Sequence, residues 1–269
     1  MDIKYHKVNK KKKKKNKIGS KTSHPKIKKK TSSHLRISFC VPCMGRLHHI
    51  KYTLPKSLSE CGNYDNVEFV ILDYNSPDGL EQWMKDNMME YIKSGRVAYY
   101  KTTEPEYFRM SHSKNMANRL GTGDLLFTLD ADAFITNNNV CKYLNKVFKK
   151  DKTLIARNSG RICLYSEYFH KARGYDESFI GWGKDDKDFY YRCINLGLHG
   201  EEWLVGMTGH VRHPQGRSVF YYPPKFKNMK VTRSHNSAIM ANRGSEKVNK
   251  EGYGCGTVCK NFSSRPIVL

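Results

Sequence analysis

The chain has 269 residues, enough for one large core or two modest ones, and a formal net charge of +23. Mean hydropathy is −0.71, and no apolar run approaches the roughly 18 residues of a membrane span. The N-terminus lacks the apolar segment of a secretory signal, so the chain is expected to be soluble and intracellular, with its eight cysteines as free thiols.

The first thirty residues hold fourteen lysines against one acid, Asp2. Such a stretch has almost nothing to bury and repels itself, so residues 1–33 are expected to form a disordered basic tail. Its partners would be anionic: nucleic acid or a membrane surface, with nuclear addressing as a further role. A lysine run without aromatic residues supports only salt-sensitive, nonspecific contact. Residues 34–269 are expected to fold as a single α/β domain, because no boundary or repeat interrupts them.

The first element is LRISFCVPC, a buried strand expected to stop at Pro42. RLHHIKYTLPKSLSEC places Leu47, Ile50, Leu54 and Leu58 on one helix face, with Pro55 expected to kink or interrupt it. VEFVILDYNSPDG gives a second buried strand ending at Asp73. LEQWMKDNMMEYIKSG gives a helix closed by Gly95, and RVAYYKT a third strand. SHSKNMANRLGTGD is helical and leads into the strand LLFTLDAD. This βα alternation favours an open, mostly parallel central sheet flanked by helices. Ligands of such sheets sit outside the carboxyl ends of the strands, where Pro42, Asp73, Asp130 and Asp132 all fall.

The second half is less regular. TLIARNSGRICLYSEYFHKARGYDES offers a strand and a short helix, GWGKDDKDFYYRCINLG a glycine-rich turn and a helix, and GEEWLVGMTGHVRH a strand leading to histidines. Two cysteine pairs, Cys40 with Cys43 and Cys255 with Cys259, lack the paired spacing of a structural zinc site.

Three constellations carry chemistry. Asp130 and Asp132, one residue apart after a strand, either cap a turn or converge on a hard divalent cation such as Mn2+ or Mg2+. His210 and His213 form either a surface turn or a pair of imidazole ligands, which would suit Mn2+ or Zn2+ better than Mg2+. In GWGKDDKDFYYR the glycines can hold Trp182 out from the core as a platform for a sugar face. Asp185, Asp186 and Asp188 suit a helix N-terminus, and one of the first two can also serve as a general base.

Together these residues resemble a GT-A-fold nucleotide-sugar glycosyltransferase. The first half is similar to the family-2 type through Pro42, Arg46, Asp73, SKNMANRLGTGDLLFTLDAD and Asp130-Ala131-Asp132 as the D-x-D motif. The second half resembles the β-1,4-galactosyltransferase type through GWGKDDKDFYYR and HVRH. The resemblance implies a (Rossmann-like) GT-A sheet, with a nucleotide-binding half over about 34–135 and an acceptor and metal half over about 136–269. It implies Asp132, His213 and His210 as ligands of Mn2+ or Mg2+, and Asp130 beside the ribose or a metal-bound water. Pro42, Arg46, Asp73 and Lys114 would contact the nucleotide, while Trp182, Gly183 and Asp185 would hold the acceptor. Asp186 would be the base. The activity implied is transfer of galactose or an N-acetylhexosamine from a UDP-sugar donor to a glycan or glycoprotein hydroxyl, with inversion. CMGR departs from the galactosyltransferase pattern after Pro42, as do Lys184 and Lys187 within the acidic run. The competing readings are a basic nucleic-acid-associated protein carrying a degenerate transferase domain, and a nucleotidyltransferase.

Overall fold

Four apolar runs form the centre of the molecule. The computed structural model describes residues 34–149, 152–157, 160–202, 206–212, 219–242 and 247–269, so the expected tail and His213 lie outside the described residues. The described residues belong to one unit, His34–Leu269. Strands β1 (Ile37–Cys43), β2 (Val67–Tyr74), β3 (Val97–Thr102) and β4 (Leu125–Thr128) pair in parallel in the order β3-β2-β1-β4. Alternation sends Phe39, Phe69 and Phe127 into one layer and Cys40, Val70 and Leu126 into the other, none of them more than 1% exposed. A sheet buried on both faces requires helices on both, which is why its strands are mostly apolar, and the buried Glu68 of β2 is paired with Ser38 Oγ of β1 (2.5 Å).

Helices α1 (Leu47–Glu60), α2 (Leu80–Asn87), α3 (Met89–Lys93) and α5 (Val140–Val147) cover the phenylalanine layer. Helices α4 (Met110–Leu120), α6 (Ser166–Lys171) and α7 (Asp185–Asn195) cover the other. Antiparallel strands extend the sheet at both ends. On one side lie β10 (Thr257–Lys260), against β3, and then β11 (Pro266–Val268). On the other side β7 (Gly160–Tyr165) pairs with β4 and β6 (Thr153–Arg157) with β7, followed by β8 (His199–Glu202) parallel to β6. Among the described residues this gives a nine-stranded sheet, with a separate pair formed by β5 (Ala133–Ile135) and β9 (Thr208–His210).

Several local readings of the sequence are corrected. Pro42 does not end β1, which continues to Cys43 paired with Asp73 on β2. The pairing of β1 with β4 has already ended at Cys40 opposite Thr128, so the missing N–H of Pro42 costs the ladder little. Pro55 does not interrupt α1, whose Ile50, Leu54 and Leu58 are at most 3% exposed. Burial of that face outweighs the one backbone hydrogen bond lost to the ring. The single helix expected before Gly95 is two, divided at Met88. The strand expected over LLFTLDAD stops at Thr128 and the acids ride on a turn. Helix α8 (Met229–Ala241), β10 and β11 were not read from the sequence. All eight cysteines are free thiols, and no described helix is long and apolar enough to cross a membrane.

Candidate active site

Beyond Cys40 and Thr128 the strands β1 and β4 separate, and a cleft opens at the carboxyl edge of the sheet. Pro42 and Arg46 line it from the β1 side, and the Asp130-Ala131-Asp132 turn from the β4 side. Backbone groups fix that turn. Ala133 N–H donates to the Asp130 carbonyl (2.9 Å), Thr53 Oγ1 to the Ala131 carbonyl (2.9 Å), and Val211 N–H to the Asp132 carbonyl (2.8 Å). The side chain of Asp130 is half exposed to the cleft, and its Oδ2 lies 3.7 Å from Arg161 Nε. Its carboxyl is raised above the usual range by partial burial, with Lys114 opposing and Asp132 reinforcing the shift.

The opposite wall is the Gly-Trp-Gly loop. Gly181, Gly183 and Lys184 all have positive φ (72°, 100° and 77°), which reverses the chain and leaves Trp182 46% exposed at the cleft. Glycine is required at 181 on two counts, because a Cβ there would also stand 2.8 Å from the Thr232 methyl. The loop delivers three acids to the first turn of α7, where the positive end of the helix dipole favours them. They then divide. Asp188 is buried and accepts from Arg192 Nε (2.8 Å) one turn on. Asp185, 3% exposed, accepts from Lys114 Nζ at 2.7 Å. Asp186, a third exposed, accepts from the same Nζ at 2.7 Å and faces the cleft.

Lys114, on α4, is therefore the cation shared by both acids, with Nζ 4.9 Å from the Tyr175 ring centre. Burial alone would lower its pKa, but Asp185 and Asp186 more than offset this and hold it protonated, well above its usual value. Burial and the neighbouring Asp185 push the Asp186 carboxyl up to about 7 against the pull of Lys114.

Aromatic residues close the cleft. The Tyr221 carbonyl accepts from Phe108 N–H (2.7 Å), and the rings of Phe108 and Tyr222 stack at 6.3 Å. The Tyr221 ring occupies the space a Cβ on Gly45 would fill, its Cε2 being 1.9 Å from that position. Two buried polar atoms of cleft-lining residues, Arg46 Nη1 and Tyr222 Oη, have no hydrogen-bond partner among the described residues. Buried donors are rarely left unpaired, so both mark places where a ligand oxygen would fit.

The fold thus gathers Pro42, Arg46, Lys114, Asp130, Asp132, Trp182 and Asp186 around one cleft. Asp73 is not brought there. It is fully buried, accepting from Tyr99 Oη (2.6 Å) and Ser76 N–H (2.7 Å), and burial raises its carboxyl. Asp185 is engaged by Lys114 behind the cleft, and Gly183 contributes its carbonyl to Asn236 Nδ2 (2.8 Å). His210 is exposed on β9 opposite Ala133, outside the cleft lining, and His213 lies outside the described residues. Tyr221, Tyr222 and Arg161 were missed. The FYY run after the histidines was the available signal for the tyrosines, and the sequence carried none for Arg161.

Among the described residues no three His, Cys, Asp or Glu side chains converge on one point. Asp130 and Asp132 nonetheless fit a divalent cation that takes its remaining ligands from phosphate, since Mg2+-type sites commonly use one or two carboxylates with substrate oxygens.

A mixed sheet with a parallel core and helices on both faces matches the GT-A fold. The sequence pattern described as Glycosyl transferase family 2 matches residues 38–200, more than half of the chain. The chain belongs to this family of glycosyltransferases. Its fold is shared by a mannosyltransferase of Pyrobaculum calidifontis solved with GDP-Man and Mn2+, at TM-score 0.55 and 16% identity over 78% of this chain and 76% of that one. GalNAc-T7 solved with UDP, GalNAc and Mn2+ is similar at TM-score 0.57 and 14% identity over 68% of this chain, which spans only 44% of that protein. The catalytic domain of Drosophila β1,4-galactosyltransferase 7, solved with xylobiose, is similar at TM-score 0.53 and 12% identity over 82% of this chain and 84% of that one. No curated protein matches the sequence.

Proposed function

We propose that the protein transfers galactose or an N-acetylhexosamine from a UDP-sugar to an acceptor hydroxyl, with inversion at the anomeric carbon. The observation that carries this reading is that Asp186 faces the Asp130–Asp132 turn across one cleft, which also holds Arg46 Nη1 and Tyr222 Oη, both without a hydrogen-bond partner among the described residues. Residues 34–135 supply most of the donor side, and residues 136–269 the acceptor side and the remaining metal ligands.

In this reading Pro42 and Arg46 line the uridine diphosphate, and Arg46 Nη1 and Tyr222 Oη donate to its phosphate oxygens. Asp132 would hold Mn2+ or Mg2+, with His213 and His210 as the further protein ligands and Asp130 beside the ribose or a metal-bound water. The bound ion would act as a Lewis acid on the diphosphate. Trp182 supports a sugar ring of the acceptor, and Lys114 fixes Asp185 and orients Asp186. As the acceptor oxygen bonds to the anomeric carbon, its proton passes to Asp186, and the bond from that carbon to the phosphate oxygen breaks with UDP as leaving group. Asp186→Asn should lower transfer by about 10²-fold or more while UDP binding survives. Turnover near that of the unmodified protein, measured by UDP release across a panel of nucleotide sugars, would sink the assignment.

A further inference from the structure

We infer that the acceptor is an acidic saccharide, whose charged groups rest on a basic, aromatic rim beside Trp182 while its reacting sugar is neutral. This rests on the glycosyl-transfer reading above. The stretch from Trp203 to Ser245 contains seven lysines and arginines and no Asp or Glu. Among its described residues Lys225, Lys227, Lys230 and Arg233 are exposed, and none is within ion-pair distance of a described carboxylate. A chain this basic could simply scatter its charge over the surface. Here Arg233 is instead held over the cleft-lining Trp182, and Lys227 over Phe220 next to the lining tyrosines.

Helix α8 is docked on the Gly-Trp-Gly loop. Thr232 packs at Gly181, Asn236 Nδ2 donates to the Gly183 carbonyl (2.8 Å), and Ile180 N–H donates to Asn236 Oδ1 (3.3 Å). That docking sets the Arg233 guanidinium 5.6 Å from the centre of the exposed Trp182 ring. Lys227 Nζ lies 5.3 Å from the ring of Phe220, which is 67% exposed and directly precedes the cleft-lining Tyr221 and Tyr222. A neutral sugar would need only ring faces and hydroxyl partners. Cations held over those rings add attraction for carboxylate, sulfate or phosphate groups. In the transfer reading the reacting hydroxyl lies against the Asp186 carboxylate, so the charged groups belong to neighbouring units and not to the one that reacts. A nucleic acid, which carries a phosphate at every unit, would bring a charge next to Asp186 as well.

The test uses the full chain without donor. Calorimetry compares an oligosaccharide of alternating uronate and N-acetylhexosamine with its carboxyl-reduced, neutral counterpart. At about 50 mM salt the acidic probe should bind roughly tenfold tighter, and the advantage should shrink as salt shortens the Debye length. The combined variant Lys227→Ala, Lys230→Ala, Arg233→Ala, all at exposed positions, should cut the advantage by about threefold or more, as expected for loss of several exposed charge contacts, whatever salt-sensitive contact the lysine-rich residues 1–33 add in both proteins. Equal affinity for the two probes, or an advantage unchanged in the variant, would overturn the inference. So would a single-stranded oligonucleotide of matched charge that displaces the acidic probe and is weakened by the same variant. Failure of the transfer reading would show separately, as absence of UDP binding and of UDP release from every donor.

Discussion

Replacing Lys114 by methionine isolates the cation on which both acids of α7 depend. The side chains are similar in length, so the change removes charge and leaves little cavity. What remains is Asp185, 3% exposed, with its Lys114 contact at 2.7 Å gone. Removing one partner of a buried ion pair costs about 3–5 kcal/mol, because the remaining charge is left buried without compensation. That is a large share of the roughly 5–15 kcal/mol by which a domain is stable. Urea titration at pH 7 should show it as a fall in the midpoint of roughly 1–2 M, given a slope of about 2–3 kcal/mol/M. Adding Asp185→Asn to the methionine variant should restore much of the loss, giving a coupling of about 2 kcal/mol in a double-mutant cycle. A loss below about 1 kcal/mol, or two additive single losses, would refute the view of Lys114 as a buried anchor.

Other expectations concern the cleft. A base must be ionised to accept a proton, so kcat/KM should rise with pH through about 7, where burial and Asp185 have moved Asp186. An acidic limb near 4, the ordinary carboxylate range, would exclude Asp186 as the titrating base. Tyr222→Phe removes a buried hydroxyl that has no partner among the described residues, so the fold should melt at the same temperature or higher. UDP should then bind about tenfold more weakly by calorimetry, and unchanged affinity would take the hydroxyl out of the donor site. Asp132→Ala should abolish the enhancement of UDP binding by Mn2+, whereas an unaltered metal dependence would remove it from the ligand set.

The parallel core was legible because burial on both faces leaves its mark in consecutive apolar residues, as in Phe69–Leu72 and Leu125–Phe127. The placing of Asp130 and Asp132 beyond an apolar strand, and the loop at Gly181, were legible because their chemistry is local to a few residues. What the sequence concealed depends on distant partners. Nothing near Lys114 announces that its ammonium meets acids some seventy positions on. Nothing near Asp73 announces that Tyr99 will take its carboxylate. Pro42 and Pro55 misled for a related reason, since the cost of a missing N–H depends on whether a neighbour is there to receive it. Helix α8, polar on most of its surface, buries Thr232 and Asn236, which no hydrophobic pattern reveals.

The placement of β10 bears on how the chain is made. β3 is complete at Thr102, yet its outer neighbour is supplied only by Thr257–Lys260. During synthesis the hydrogen-bonding edge of Val97–Thr102 therefore stands open while residues 103–256 are translated. An uncovered strand containing Val97, Ala98, Tyr99 and Tyr100 is a template for pairing with another nascent chain. Late capping of that edge makes the yield of folded protein sensitive to the last strands in a way their distance from the cleft would not suggest.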